Sequence, residues 1–116
     1  MDILTHEDGL TWKDIQGTSY KITLNADYET LVETFGQPTK GDEYKTDAEW
    51  YVNVSVVVDG VELNETFTIY NWKDGVNYLG KVEGKLVETI TDWHIGCKSG
   101  SVIEVEDILD KVLPDN

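Results

Sequence analysis

The spacing of apolar residues predicts a strand followed by a helix in the first third of the chain. Residues 20–24 alternate between apolar and polar side chains and are rich in β-branched and aromatic types, as is typical of a strand. Tyr28, Leu31, Val32 and Phe35 then recur at intervals of three and four residues. This spacing places them on one side of a helix, which we expect to face the core.

The residues around this helix predict where it begins and ends. Asn25 is the expected N-cap, because its side chain can accept a hydrogen bond from a free backbone N–H. Asp27 and Glu29 fall in the expected first turn, where the helix dipole favours negative charge. Gly36 suits the position after the last turn, and Pro38 prevents the helix from continuing.

The centre of the chain predicts a β-hairpin. Asp59-Gly60 between two valines is typical of a two-residue type I′ turn, which needs positive φ at both positions. This turn sets Trp50 opposite Ile69 on an apolar face that we expect to be buried. The other face carries Glu49, Tyr51, Asn53, Ser55, Glu62, Asn64, Thr66, Thr68 and Tyr70.

Glu65 does not fit this pattern, because the same register puts it beside Val54 on the apolar face. A buried, ionised and unpaired glutamate is too costly to be stable. We therefore expect either a β-bulge at this point or a position at the edge of the sheet.

The last third predicts a strand and a second helix. Residues 86–95 have the composition of a strand that ends at Gly96, after a short segment around Tyr78 and Leu79. Ser101 and Glu104 have the spacing of a capping box, although a helix start as late as Glu106 is also compatible with the pattern. The helical apolar residues are Val105, Ile108, Leu109 and Val112, and Pro114 ends the helix.

Together these elements predict one α+β domain over residues 1–116. The expected order is strand, helix, hairpin, one or two strands, and helix. This order favours an antiparallel sheet of about four to five strands with helices packed on one face, because an open antiparallel sheet exposes its other face to water.

Charge is the most informative feature of the composition. The 116 residues include 23 Asp and Glu against nine Lys and no Arg, giving a net charge of -14. Such a chain is a poor ligand for nucleic-acid phosphates or for an anionic membrane, both of which attract basic surfaces. Two interpretations remain open: acidity for solubility, or mimicry of nucleic acid toward a basic protein.

The residue types that support catalysis are sparse. In a strand, His94 and Cys97 point to opposite faces and do not form a nucleophile and base, and Trp93, Ile95 and Cys97 share the apolar face. The spacing of His and Cys does not match a zinc site, and no glycine-rich phosphate loop is present. We therefore expect no enzymatic activity, metal or cofactor, with an enzyme that uses His94 as a remote alternative.

Exposed aromatic and acidic residues form the predicted partner-binding set. Tyr51 and Tyr70 fall on the polar face of the hairpin, where aromatic residues are typical anchors of protein interfaces unless a further layer such as the C-terminal helix covers them. The full predicted set is Glu49, Tyr51, Glu62, Tyr70, Trp72, Asp74, Glu104, Glu106, Asp107 and Asp110.

Short motifs between residues 28 and 96 resemble a group of small acidic proteins encoded by bacteriophages. They are Phe35-Gly36-Gln37-Pro38 after a helix, Glu49-Trp50, Ile69-Tyr70-Asn71-Trp72-Lys73, and Trp93-His94-Ile95-Gly96. The resemblance implies a phage protein that acts in the host cytoplasm, a location also expected from an N-terminus without an apolar leader. The helix expected after Cys97 departs from that group.

A weaker resemblance is to the half-repeat of β-lactamase inhibitor protein and of outer-membrane assembly lipoproteins. In those proteins, too, a helix ends in a Gly-x-Pro turn before a hairpin with an early Trp.

From charge and resemblance together, we expect an inhibitor of a host defence protein. Its partner would have a basic groove that normally holds nucleic acid, as in restriction or RNA-guided (CRISPR) defence, and the chain itself would bind neither nucleic acid nor membrane. The alternative function is a structural or assembly protein of the virion.

Overall fold

The structure is a computed structural model, and it describes residues 1–41 and 45–114. Within these residues, five strands form one antiparallel sheet in the order β1-β3-β4-β5-β2. The strands are β1 (Asp2–Thr5), β2 (Ser19–Asn25), β3 (Glu49–Val58), β4 (Val61–Tyr70) and β5 (Asp92–Cys97). The helices are α1 (Tyr28–Phe35), α2 (Val76–Glu83, interrupted by a non-helical residue at Gly80) and α3 (Val102–Val112). The predicted α+β class is confirmed.

The central hairpin has the predicted turn and register. Asp59 and Gly60 have φ angles of 51° and 80°, as a type I′ turn requires. Trp50 lies opposite Ile69, and the pairing continues to the turn without a shift. A bulge at Glu65 is therefore wrong, and the edge alternative holds: β5 pairs with β4 from Thr68 to Tyr70, so the half-buried Glu65 precedes that ladder.

Helix α1 begins at Tyr28 with Asp27 as its N-cap residue, so the prediction of Asn25 as N-cap is wrong by two positions. Asn25 is the last residue of β2, and its amide donates to Asp92 Oδ1 at 3.2 Å across the β2–β5 pair. The helix ends where predicted, at Gly36 with φ of 83°. Its buried residues Leu31 and Phe35 belong to the predicted apolar side.

Two buried tryptophans fasten both ends of α1 to the sheet. Trp50 Nε1 donates to the carbonyl of Gly36 at 2.7 Å, just after the helix, and Trp93 Nε1 donates to the carbonyl of Ala26 at 3.0 Å, just before it. The two indole rings pack edge to face with centroids 5.4 Å apart. The centre of the core is thus an aromatic pair whose polar atoms are satisfied.

Helix α3 covers the same face of the sheet. Val105, Ile108 and Leu109 are buried with the inward residues of β3 and β4. The helix starts at Val102, so the later start is wrong. The capping box is wrong too, because Ser101 is the N-cap residue but its side chain makes no capping hydrogen bond.

Three regions differ from the sequence prediction, and the first is α2, a helix that the predicted order of elements does not contain. Residues 86–95 are not one strand: a 3-10 turn over Val87–Thr89 precedes β5, and both the backbone N–H and the hydroxyl of Thr89 donate to the carbonyl of Leu86. The N-terminal strand β1 was not predicted and pairs with β3 as an edge of the sheet. In the part of the chain that is described, every helix is too short or too polar to cross a bilayer.

Candidate functional site

The sheet face opposite α1 and α3 carries the polar side of the hairpin. Asn53 donates to Thr66 Oγ1 at 2.9 Å, and Asn64 donates to Asn53 Oδ1 at 3.1 Å, so the middle of this open face is a ladder of amides and hydroxyls. Since α3 packs on the other side of the sheet, the alternative that it covers Tyr51 and Tyr70 is wrong. We name this sheet face, opposite α1 and α3, the open face.

At one end of the open face, four rings from three strands and a loop line a cavity of about 350 Å3. They are Tyr20 of β2, His94 of β5, Tyr70 of β4 and Trp72 of the following loop. Their centroids are 4.5 Å apart for Tyr20 and His94, 5.6 Å for His94 and Tyr70, and 6.1 Å for Tyr70 and Trp72. The rings form a continuous row across the sheet, which we name the aromatic cleft.

A β-bulge brings Tyr20 into the aromatic cleft. Ile22 lies opposite Ile95 on the core side, and strict alternation would place Tyr20 on that side as well. The pairing with β5 shifts between Tyr20 and Ile22, so that Tyr20 lies opposite Gly96. A one-residue shift turns a side chain to the other face, and Tyr20 therefore joins His94 on the open face.

His94 belongs to the cleft, and Cys97 does not. Trp93, Ile95 and Cys97 are buried on the core side of β5, as predicted, while His94 is half-buried on the open face. Burial is the main cause that raises the pKa of the Cys97 thiol above its usual value of 9.0. The cysteine is thus held as a neutral thiol away from the histidine, which opposes nucleophilic chemistry.

A smaller pocket of about 250 Å3 adjoins the cleft and shares Tyr70 and Trp72 with it. Here Thr68 Oγ1 donates to Glu49 Oε2 at 2.9 Å. Burial, followed by the charge of Glu49, raises the pKa of Tyr70 above 10.0. Gly96 forms part of the wall, since a Cβ at this position would lie 2.8 Å from Thr68 Cγ2.

The buried amide of Asn71 positions the loop that carries Trp72. Its oxygen accepts from the backbone N–H groups of Asp47 at 2.7 Å and Ala48 at 3.1 Å. Its nitrogen donates to Asp47 Oδ1 at 3.0 Å and Asp74 Oδ1 at 2.9 Å. Asp74, a predicted binding residue, therefore has a structural contact in this loop.

Positive charge lies at the rim of the cleft. The ammonium groups of Lys45 and Lys73 are 5.4 and 5.7 Å from the centroid of the Trp72 ring. Lys73 also lies 5.5 Å from the ring centroid of Tyr78. All three distances are within the range of a cation–π contact, so two ammonium groups lie at the aromatic end of this acidic protein.

The ten predicted residues do not form one surface. Glu49, Tyr70 and Trp72 meet in the cleft and its adjoining pocket. Tyr51 lies on the open face beside the ring of His6, at a centroid distance of 6.3 Å. Glu62 is exposed near the hairpin turn, and the four acids of α3 lie in the helical layer: Glu104, Glu106, Asp107 and Asp110.

Sequence reasoning missed Tyr20 and His94 as members of a site. The strand parity that placed His94 on the polar face was correct, but only the order of the strands brings β2, β5 and β4 side by side. Among residues 1–41 and 45–114, no group of three or more His, Cys, Asp or Glu side chains is arranged to hold a metal ion.

Comparison of the chain with family models, with curated proteins and with solved structures finds no match. The resemblance to phage proteins therefore stays a prediction.

Proposed function

We propose that this protein is a phage-encoded, non-enzymatic inhibitor that binds a host nucleic-acid-binding defence protein through the outer side of α3. The observation that carries the proposal is the division of this helix. Val105, Ile108 and Leu109 are buried against the sheet, whereas Glu106, Asp107 and Asp110 are exposed. The acidic residues are thus directed away from the core by the same periodicity that anchors the helix.

The spacing of these carboxylates suits a basic surface of the partner that normally binds the phosphates of nucleic acid. Glu106 and Asp110 are four residues apart, and Asp107 and Asp110 are three apart, so their Cβ atoms lie roughly 5–6 Å from each other. Ile103, one turn earlier, is 72% exposed and adds an apolar contact beside the acids. Acids with an apolar neighbour can bind a basic groove and exclude water from it.

The proposed mechanism is occupation of Lys and Arg side chains that otherwise contact nucleic acid. Charge-assisted hydrogen bonds form between the carboxylates of α3 and these cations, and no covalent bond is made or broken. With a net charge of -14, long-range attraction accelerates encounter with a basic groove, and salt slows it. The proposed place of action is the host cytoplasm.

The test compares two triple variants of equal charge. The α3 variant carries Glu106→Gln, Asp107→Asn and Asp110→Asn, and the control carries Asp2→Asn, Asp59→Asn and Glu83→Gln. Each variant changes the net charge from -14 to -11, and all six residues are exposed. Bacteria with a restriction or an RNA-guided defence system would express each protein, and the plating efficiency of a susceptible phage would be measured.

We expect the native chain and the control to restore phage growth on at least one defended host, and the α3 variant to lose most of this protection. Binding to the purified target of that system should weaken about tenfold or more for the α3 variant at low salt, and less at high salt. Equal loss in both variants would mean that overall charge, not α3, is responsible. No protection in any host, with the protein present in purified virions, would favour the virion alternative.

A further inference from the structure

The aromatic cleft lies on the face of the sheet opposite α3 and has a different chemistry. We propose that the cleft formed by Tyr20, His94, Tyr70 and Trp72 binds a free nucleotide, with the base stacked on its rings and the phosphate at the lysine rim. This site is independent of the protein-binding surface proposed for α3.

The shape and lining of the cavity support a base as the occupant. Its volume of about 350 Å3 lies in the range of sites for small organic ligands, which are mostly apolar with a few polar groups. All four lining residues have ring side chains. Tyr20 and Trp72, at the two sides of the cavity, are 52% and 41% exposed. Stacking of a base on aromatic side chains is favourable for every base, because each has a flat π surface.

Polar groups lie next to the rings, where the edge of a stacked base would be. The adjoining pocket opens between Tyr70 and Trp72 and is lined by Thr46, Thr68 and Glu49. The carboxylate of Glu49, which accepts from Thr68 Oγ1, can also accept from the amino group of a base. The combination of stacking and edge contacts is the usual way in which proteins hold an unpaired base.

The lysine rim supplies the cation that a phosphate requires, although Glu49 and Asp74 lie close to the same end of the cleft. The Lys73 ammonium lies 5.7 Å from the Trp72 ring centroid, within reach of a phosphate attached to a base in the cleft. The acids of α3 belong to the other side of the sheet, and at physiological ionic strength charges separated by more than about 8 Å are largely screened. A long single strand would also extend over the acidic remainder of the surface, so a free nucleotide fits better than nucleic acid.

The first experiment measures binding of AMP to the intact protein by isothermal titration calorimetry. We expect saturable binding that weakens at least about tenfold in Trp72→Ala and in Tyr20→Ala, and that Trp72→Phe largely restores. Trp12→Ala is the matched control, because Trp12 is an exposed tryptophan with Lys13 at 5.9 Å from its ring but lies outside the cleft. It should leave binding unchanged.

Fluorescence supplies a second readout that does not depend on heat. In the Trp12→Phe variant, Trp72 is the one exposed tryptophan, since Trp50 and Trp93 are fully buried. Addition of AMP should quench the fluorescence of Trp72 with the same midpoint as the calorimetric titration.

The rim is tested separately with Lys73→Gln. We expect this change to weaken the binding of AMP severalfold. The binding of adenosine, which lacks the phosphate, should be unaffected. An equal loss for both ligands would overturn the assignment of the phosphate to the rim.

Three other results would overturn the proposal. They are absence of AMP and adenosine binding, equal weakening by Trp12→Ala, and tighter binding of an oligodeoxyadenylate than of AMP, which would assign the cleft to single-stranded nucleic acid. The α3 triple variant should bind AMP normally, so failure of either proposal is recognisable without the other.

Discussion

The two faces of the sheet use the same aromatic residue types in opposite ways. On the core face, Trp50 and Trp93 are fully buried, and each indole N–H is bonded to a carbonyl at one end of α1. On the open face, Trp72 and Tyr20 leave about half of their surface exposed and line a cavity instead of filling one.

The supports of the two sets differ as well. Trp50 is fixed by the hairpin, where the pairing continues without a shift, and Trp93 lies opposite Leu24 in the regular part of the β2–β5 pair. Of the open-face rings, Tyr20 depends on the bulge before Ile22, and Trp72 depends on the buried amide of Asn71. Because the two sets share little of their packing, we expect stability and ligand binding to respond to different substitutions.

The largest expected effect is on the core face. Trp93→Ala removes a fully buried indole and its hydrogen bond to the Ala26 carbonyl. The free energy of unfolding should fall by about 3–5 kcal/mol, as for other large aromatic truncations in cores. Urea denaturation followed by circular dichroism measures this change.

Trp12→Ala completes the comparison, because Trp12 is 58% exposed. Its free energy of unfolding should stay within about 0.5 kcal/mol of the native value, as for most surface substitutions. Similar losses for the two variants would contradict the division between structural and exposed tryptophans.

An intermediate effect is expected at the support of the open face. Asn71→Ala leaves the backbone N–H groups of Asp47 and Ala48 without the oxygen that accepts from them. The cost should be about 2–4 kcal/mol, since a buried group that loses its partner costs roughly 1–3 kcal/mol and the Asp47 N–H is only partly buried. A loss below about 1 kcal/mol would show that another group or water takes the place of this amide.

The same variant separates support from packing. Under conditions where the variant stays folded, Asn71→Ala should also weaken the binding of AMP, because the loop that carries Trp72 is no longer fixed. Val52→Ala, a truncation in the core beneath the open face, should lower stability and leave AMP binding nearly unchanged.

The hairpin could be predicted in detail because one local feature determines it. A type I′ turn at Asp59 and Gly60 fixes the register, and the period of two then assigns every side chain of β3 and β4 to a face. The apolar sides of α1 and α3 were equally readable, because a helical period is a property of one segment. The N-cap of α1 was not, and at α3 Ser101 is the N-cap residue without the predicted hydrogen bond, since capping depends on where the preceding strand or turn ends.

The aromatic cleft could be predicted only in part. Tyr70 and Trp72 follow from the parity of the hairpin and its exit. To place Tyr20 in the cleft, one must predict a bulge that no residue type in the sequence indicates. To identify the neighbours of His94, one must predict the order of the five strands. Sites built from several strands depend on pairings that are distant in sequence, and a single chain carries little information about those.

The smallest expected effect concerns the tyrosines of the open face at high pH. Burial, followed by the charge of Glu49, raises the pKa of Tyr51 and of Tyr70 above the ordinary value of 10.0. The folded state therefore holds these protons more tightly than the unfolded state. The stability linked to them is complete below pH 10 and is lost as the pH rises through the folded-state pKa values.

Glu49→Gln isolates the part of this effect that is due to charge. Phenolate absorbance should show the latest-titrating tyrosines ionising at lower pH in this variant, and the decline of stability above pH 10 should become shallower. Glu62→Gln is the matched control on the same face, because Glu62 is not among the charges that act on Tyr51 or Tyr70. If both variants give the native titration curve, burial alone sets these pKa values, and the field of Glu49 does not extend to the cleft.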